Sequence, residues 1–506
     1  MAEFSMLSNL TTVIVACVIF LCVALILRHR KNLPPGARGV PLLGLLPTLA
    51  LMDVDATRRW LSGLARKHDI YSMNVAGQLV VVLTQYTTMR SAFVNAEAVD
   101  RPPSAVFKGI MSDPQASGIF LSSGEKWKEL RSHTLKFLNG SGTSKETFEE
   151  LIINEVKKLK KEISTLKGEV FNPQDLLRKA ATNIICSVTF GQTFSESDTR
   201  YRKFIDSINR LSDTRGLGSI QAMIPVMQRL NFLLGVQETR PLLVNIVEFI
   251  GQQVEEHHTT LDLDNPNDYT DTLLRAMKLK KSNNQNTSID YNSTVLSILD
   301  IFLGGIESVV STLRWSVLYL TSHQEIQQRV QAELDQNIGS DPGPILSDQS
   351  KLPFTCAVLC EAQRLGSVVP FVGPHYTSKD TTLFGFNIPR NTIIIGDFWN
   401  MNRDTMVWDK SGDPEMFIPE RFLDEQGDFN PRNKQLTPFS RGRRLCAGEN
   451  LAKMELFLFL SHLLKNFTFA FPENSPPVSF DGQLGLTLSP EPFKIIATQR
   501  LTHADN

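Results

Sequence analysis

The chain has 506 residues, 21% of them charged, and a formal net charge of −1. That balance excludes a disordered polyelectrolyte and gives no electrostatic support to a nucleic-acid partner, which needs a basic surface. Six cysteines over this length, most of them inside apolar or helical patterns, imply no disulfide framework.

The apolar run 13–27, extended back to Leu7, is long enough at about 1.5 Å per residue to cross a bilayer. Arg28, His29, Arg30 and Lys31 follow at once, so the positive-inside rule places the bulk of the chain in the cytoplasm. Basic residues after the run, rather than before it, suit a signal anchor and not a cleaved leader. The expected organisation is a single-pass transmembrane anchor over 1–31, a stiff proline-rich hinge over 32–45 with Pro34, Pro35 and Pro41, and one large domain over 46–506.

Apolar residues recur at helical spacing over 57–68, 125–138, 145–166, 173–190, 198–211, 240–258 and 293–322. Stretches rich in β-formers, at 79–83, 382–388 and 392–395, are too short and scattered for a large central sheet. The expected class is mainly α with small β-sheets. Cys356 and Cys360 stand one helical turn apart with no second ligand pair, and read as core residues. His257 and His258 follow Glu255 and Glu256, and adjacent positions point different ways on a helix, so a solvated face is expected there.

Near the C-terminus the segment Pro438-Phe439-Ser440-Arg441-Gly442-Arg443-Arg444-Leu445-Cys446-Ala447-Gly448-Glu449 precedes an amphipathic helix over 450–464. Unpaired N–H groups and the positive end of the helix dipole at such a position favour a thiolate. Gly442 and Gly448 let the loop fold tightly and bring its backbone near a flat macrocycle. The pattern F-x-x-G-x-R-x-C-x-G resembles, at every fixed position, the haem-binding signature of the cytochrome P450 superfamily. That resemblance implies the cytochrome P450 fold and a haem b whose iron takes the Cys446 thiolate as axial ligand, a donor that pushes electron density toward O–O cleavage. It also implies that Phe439, Gly442 and Gly448 shape the loop and that Arg444 faces a haem propionate.

Three further constellations fit the same resemblance. Glu361-x-x-Arg364 is similar to the E-x-x-R motif, whose structural partner is here Arg421 of Pro419-Glu420-Arg421-Phe422. The two carboxylates of haem need cationic or donor partners. Trp127-x-x-x-Arg131 resembles the family's C-helix pair, and Arg101 before Pro102 and His375 after Pro374 stand where many microsomal members bind a propionate. Leu303-Gly304-Gly305-Ile306-Glu307-Ser308 resembles the distal A/G-G-x-D/E-T motif, although two glycines inside a helix cost about 1 kcal/mol each relative to alanine. By resemblance Gly304 and Gly305 open a groove for dioxygen. Glu307 is then the acid and Ser308 the alcohol that relay protons, with serine replacing the usual threonine and lacking the methyl that restricts its rotamers.

The chain shows neither a nucleotide-binding fingerprint nor an iron–sulfur cysteine cluster, so electrons must come from outside. An NADPH-dependent flavoprotein reductase is the implied partner, with cytochrome b5 a second candidate. Arg432, Lys434, Arg441, Arg443, Lys126 and Lys128 form a candidate docking patch. The likeness is closest to animal microsomal members, which implies an endoplasmic reticulum membrane location with the catalytic domain facing the cytoplasm. Candidate pocket walls at 106–120, 217–232, 301–305, 368–372 and 484–488 are mostly apolar, suited to a steroid, fatty acid or xenobiotic. The activity implied is insertion of one atom of dioxygen into such a substrate. Two other readings stay open: a haem-thiolate isomerase or dehydratase acting on a peroxide, against which Glu307 and Ser308 argue, and a non-catalytic haem-binding or sensing protein.

Overall fold

Long stretches with apolar side chains every third or fourth residue fold as helices because only that period gathers them on one face. In the computed structural model, residues 32–500 are described apart from 105–106, 108–109, 114, 141–144, 229–238, 283–286, 340–342, 409–411 and 431–434, together with Val13 and Ala16. The expected anchor over 1–31 otherwise lies outside the described residues, as do Arg432 and Lys434.

The principal helices are α1 (Val54–Ala65), α2 (Gly124–Leu138), α3 (Lys145–Thr165), α4 (Pro173–Phe190), α5 (Thr199–Asp213), α6 (Thr239–Thr260), α7 (Tyr269–Ser282), α8 (Tyr291–Gly305), α9 (Glu307–Ser322), α10 (Gln324–Asn337), α11 (Pro353–Gly366) and α12 (Glu449–Asn466). The expected helix over 293–322 is therefore interrupted at Ile306. Among the described residues, Tyr291–Ser322 is the one segment long and apolar enough to cross a membrane. It instead lies in the protein core, where α9 is enclosed by α4, α11 and α12.

The small β-sheets expected beside the helices are one four-stranded and three two-stranded sheets among the described residues. Strands β1 (Ile70–Val75), β2 (Gln78–Leu83), β6 (Ile393–Asp397) and β3 (Phe371–Tyr376) lie in that spatial order. The β2–β6 pair is parallel and the other two are antiparallel. Strands β4 (Thr381–Leu383) and β5 (Phe386–Ile388) make a small hairpin, β7 (Phe467–Ala470) pairs with β10 (Ile496–Gln499), and β8 (Gln483–Leu484) pairs with β9 (Leu488–Ser489). The register of β3 against β6 shifts between Val372 and His375, at Gly373 and Pro374. Proline cannot donate to a ladder, so a bulge is where a sheet tolerates it.

The proline-rich segment runs along the free edge of β1. Ser72 N donates to Pro35 O at 2.7 Å, Leu45 N to Asn74 O at 2.7 Å and Ala76 N to Leu43 O at 2.9 Å.

Glu361 and Arg364 form a bidentate pair at 2.7 Å, both fully buried, and Arg421 Nε lies 3.3 Å from the same carboxylate. Arg364 also donates to Asn402 O and Pro414 O, at 2.7 and 2.8 Å, and Arg421 to Asp413 O at 2.7 Å. The triad thus ties α11 to the irregular segment before the cysteine loop.

His257 is not on a solvated face as expected. Its Nδ1 donates to Gln253 O at 2.7 Å and its Nε2 meets Asp268 at 3.0 Å. Burial raises the thiols of Cys356 and Cys360 to about 12, as suits inert core cysteines.

Candidate active site

The cysteine loop is a tight turn laid against α2. Cys446 N donates to Phe439 O at 2.9 Å, Leu445 N to Gly442 O at 3.2 Å, and Arg131 on α2 donates to Leu445 O at 2.7 Å. Gly442 has φ +80, and a Cβ there would sit on the carbonyl of Phe93. Glycine is required by both conformation and space. A Cβ on Gly448 would meet nothing within 4 Å. Gly448 caps α12 and its N–H points to the Cys446 sulfur. Phe439 lies under Lys453, 5.5 Å from ring centre to ammonium.

The sequence led us to expect a thiolate favoured by the helix start alone. Burial instead raises the Cys446 thiol, and the Gly448 N–H and the charge of Arg131 offset that only in part, with Glu449 opposing them. A metal ion coordinated by Cys446 would favour the thiolate, because coordination deprotonates a thiol outright. The Cys446 residue is nevertheless exposed and stands outside the packed core.

Around this loop the structure gathers three guanidiniums. Arg444 is buried, donates to Val99 O at 2.9 Å and Ser122 O at 2.6 Å, and lies 4.0 Å from the Trp127 ring centre. Arg101 donates to Gly373 O at 3.0 Å and Pro374 O at 2.8 Å, the carbonyls freed by the β3 bulge. Burial, with neighbouring arginine charge, pushes Arg101 down to about 10 and Arg444 down to about 8. Burial also lowers Arg131. These cations are held close together with too little nearby anion, which is the condition two haem propionates would relieve.

His375 stacks on Phe93, ring centres 3.9 Å apart, and its Nδ1 donates to Ala98 O at 2.7 Å. Burial and the charges of Arg101 and Arg444 hold its pKa well below the usual histidine value. As a neutral ring its Nε2 is an acceptor, so it meets a carboxylate only after gaining a proton.

The two glycines at the end of α8 differ. A Cβ on Gly304 would meet nothing within 4 Å, whereas one on Gly305 would lie 2.5 Å from Ile185 Cδ1 of α4. Gly304 faces open space, whereas Gly305, partly exposed, also lets α8 pack closely on α4. Ser308 Oγ donates to Gly304 O at 2.6 Å beside that opening.

The Glu307 side chain turns away from Ser308 into the interior and pairs with Arg178 at 2.9 Å. Arg178 pairs in turn with the half-exposed Asp213 at 2.9 Å. Burial lifts the Glu307 carboxyl above the ordinary range despite the Arg178 charge. The chain Asp213–Arg178–Glu307 thus runs from surface to distal helix. Sequence reasoning missed both partners, because the pairing is tertiary. It also missed Asp300, whose carboxylate accepts Phe120 N at 2.9 Å and which burial raises to about 7; a lone acid in the run Ile298-Leu299-Asp300-Ile301-Phe302 was the signal.

Three of the five predicted pocket walls are joined, Gly218 N donating to Gly485 O and Leu488 N to Val368 O, both at 2.8 Å, while Phe120 N meets Asp300, one residue before the 301–305 wall. Of the predicted docking patch, Arg441 and Arg443 are exposed, while Lys126 and Lys128 pair with Asp290 and Glu125.

A cysteine sulfur ringed by under-neutralised arginines suits an iron macrocycle bearing carboxylates, and the helical scaffold around it is that of the haem-thiolate oxygenases. A family model described as Cytochrome P450 matches residues 34–497. Cytochrome P450 2U1 of Homo sapiens is 33% identical over 498 residues, covering 94% of this chain and 90% of the relative. Cytochrome P450 2J5 of Mus musculus is 34% identical over 499 residues, 97% of each chain. Cytochrome P450 2D14 of Bos taurus is 34% identical over 498 residues, 96% of this chain and 97% of the relative. The chain belongs to the cytochrome P450 family and is a monooxygenase with haem b as its prosthetic group.

Proposed function

We propose that this monooxygenase inserts one atom of dioxygen into a lipophilic substrate, a steroid, fatty acid or xenobiotic, with electrons from NADPH through a flavoprotein reductase. The cluster of Arg101, Arg131 and Arg444 around the Cys446 loop carries the assignment of the haem-binding residues. In this reading Cys446 is the axial ligand, and the three arginines, with Trp127 and a protonated His375, hold the propionates. Haem bound there supplies the reductive activation of dioxygen.

The chain's own residues manage the protons and exclude bulk water. Glu307, held by Arg178, which pairs in turn with the half-exposed Asp213, takes up protons from solvent and presents them, on rotation of its side chain, toward Ser308 beside the Gly304 opening, while Arg178 keeps its charge. Ser308 releases Gly304 O to pass them on. Ser308→Ala is expected to raise peroxide formed per NADPH consumed, since proton delivery and dioxygen cleavage then fall out of step.

Residues 1–31 act as a membrane anchor, 32–45 as its junction and 46–506 as the catalytic domain, on the cytoplasmic side of the endoplasmic reticulum. Arg441 and Arg443 offer the reductase, and cytochrome b5, a basic landing surface near the thiolate.

The first experiment is the absorption spectrum of the reduced, carbon-monoxide-bound protein. A red-shifted Soret band that vanishes in Cys446→Ser is expected; haem binding without that band overturns the ligand assignment. Isotopically labelled dioxygen, NADPH and reductase then give one labelled atom in product. Turnover of a peroxide without NADPH would favour the isomerase reading, and haem binding without turnover the sensor.

A further inference from the structure

Glu307 is held by two arms, and only one is an ion pair. Its Oε2 faces Arg178, while its Oε1 accepts Ser311 Oγ at 3.3 Å and Ser489 Oγ at 3.4 Å. Ser311 Oγ also meets Thr487 Oγ1 at 2.9 Å and Ser489 Oγ. Each hydroxyl has one proton to give, and a carboxylate has none. With three protons for four contacts, the arrangement that feeds Ser311 sends the protons of Thr487 and Ser489 to Ser311 and that of Ser311 to Glu307, leaving the 3.4 Å approach of Ser489 to the carboxylate unmade. Two hydroxyls then orient the one that donates to the carboxylate oxygen.

Thr487 and Ser489 belong to the β8–β9 hairpin, which carries the pocket wall expected over 484–488. The hairpin tip is bonded to the end of α5: Leu486 N donates to Ser212 O at 2.9 Å, next to Asp213. The polar ring closes from Glu307 through Arg178, Asp213 and the hairpin back to Ser311. The remaining charged group facing Glu307 among the described residues is Arg314 of α9, which donates to Pro490 O at 2.9 Å just beyond the hairpin.

We propose that Ser311, fed by Thr487 and Ser489, is a positioning residue that fixes the rotamer and proton affinity of Glu307 and so couples the hairpin wall of the substrate pocket to proton delivery. This rests on Glu307 being the proton-carrying acid. A substrate that shifts the hairpin loosens the hydroxyl arm and frees Glu307 to turn.

The test uses the haem-loaded full chain as wild type, Ser311→Ala, Ser311→Thr, Thr487→Val and Glu307→Gln. The carboxyl stretch of Glu307, identified by its loss in Glu307→Gln, is followed against pH by infrared difference spectroscopy. Ser311→Ala removes a donor to the charged form and is expected to raise the midpoint by about half to one pH unit. Product formed per NADPH is expected to fall by about two- to ten-fold, with substrate affinity unchanged. Ser311→Thr should restore both readouts, and Thr487→Val should shift them part of the way. Wild-type midpoint and coupling in Ser311→Ala overturn the inference, as does failure of threonine to rescue in a folded, haem-loaded protein. Unchanged coupling in Glu307→Gln overturns the role of Glu307 itself, while the infrared midpoint still decides whether Ser311 positions it.

Discussion

The guanidinium of Arg444 lies 4.0 Å from the ring centre of Trp127, with its nitrogens on the carbonyls of Val99, Ile119 and Ser122. The stacking and the carbonyls fix the direction in which the charge points. Lysine cannot reproduce that fork. Arg444→Lys is expected to cut the haem-to-protein ratio of purified protein, and Trp127→Ala to do so less severely. Full loading in Arg444→Lys would show that the position needs only a positive charge.

The unequal surroundings of Gly304 and Gly305 give opposite expectations. Gly304→Ala should fold at least as well as wild type, gaining up to about 1 kcal/mol of helix propensity, while altering the oxygen-side opening and hence coupling. Gly305→Ala should destabilise by about 1–3 kcal/mol through overpacking against Ile185. Adding Ile185→Val removes the clashing Cδ1 and should recover much of the loss in thermal unfolding.

Glu361→Gln leaves Arg364 and Arg421 buried beside a neutral partner. Removing one member of a buried pair costs about 3–5 kcal/mol, a large part of a protein's margin. The expected outcome is little soluble, haem-loaded protein, read as yield and as the carbon-monoxide spectrum per chain.

At His257 burial works against the charge, but the hydrogen bond and charge of Asp268 outweigh it and raise the pKa to about 9. The unfolded value is about 6.5, so the contribution to stability is complete below that pH and is lost as pH rises through about 9. His257→Gln is expected to cost about 1–2 kcal/mol in urea unfolding at pH 6 and almost nothing once both proteins are above the folded pKa. An equal cost at both pH values would mean that shape, not charge, matters there.

Helix α4 was legible to its last residue because its punctuation is local: Asn172 caps it by accepting Gln174 N, Pro173 opens it, and Gly191 closes it at φ +65. The break at Ile306 was not legible, since the sequence continues a helical pattern across it. Strands β1 and β3 were missed for a related reason. Strand β1 is completed by its pairing with β2, as of Met73 with Val80, and β3 contains a proline that argues against a strand until its bulge is seen. In the site, the cysteine loop could be read because its residues are contiguous. The Glu307 partners come from α4, α5 and the hairpin, and no spacing rule links them.

The edge of β1 would, if bare, present unpaired backbone groups to any passing strand. Residues 34–45 already occupy it through the bonds from Ser72, Leu45 and Ala76. The segment therefore works as a built-in guard against self-association. A soluble version cut before Asn32 keeps the guard, whereas one cut at Leu46 exposes a template for aggregation even though every residue of the site remains.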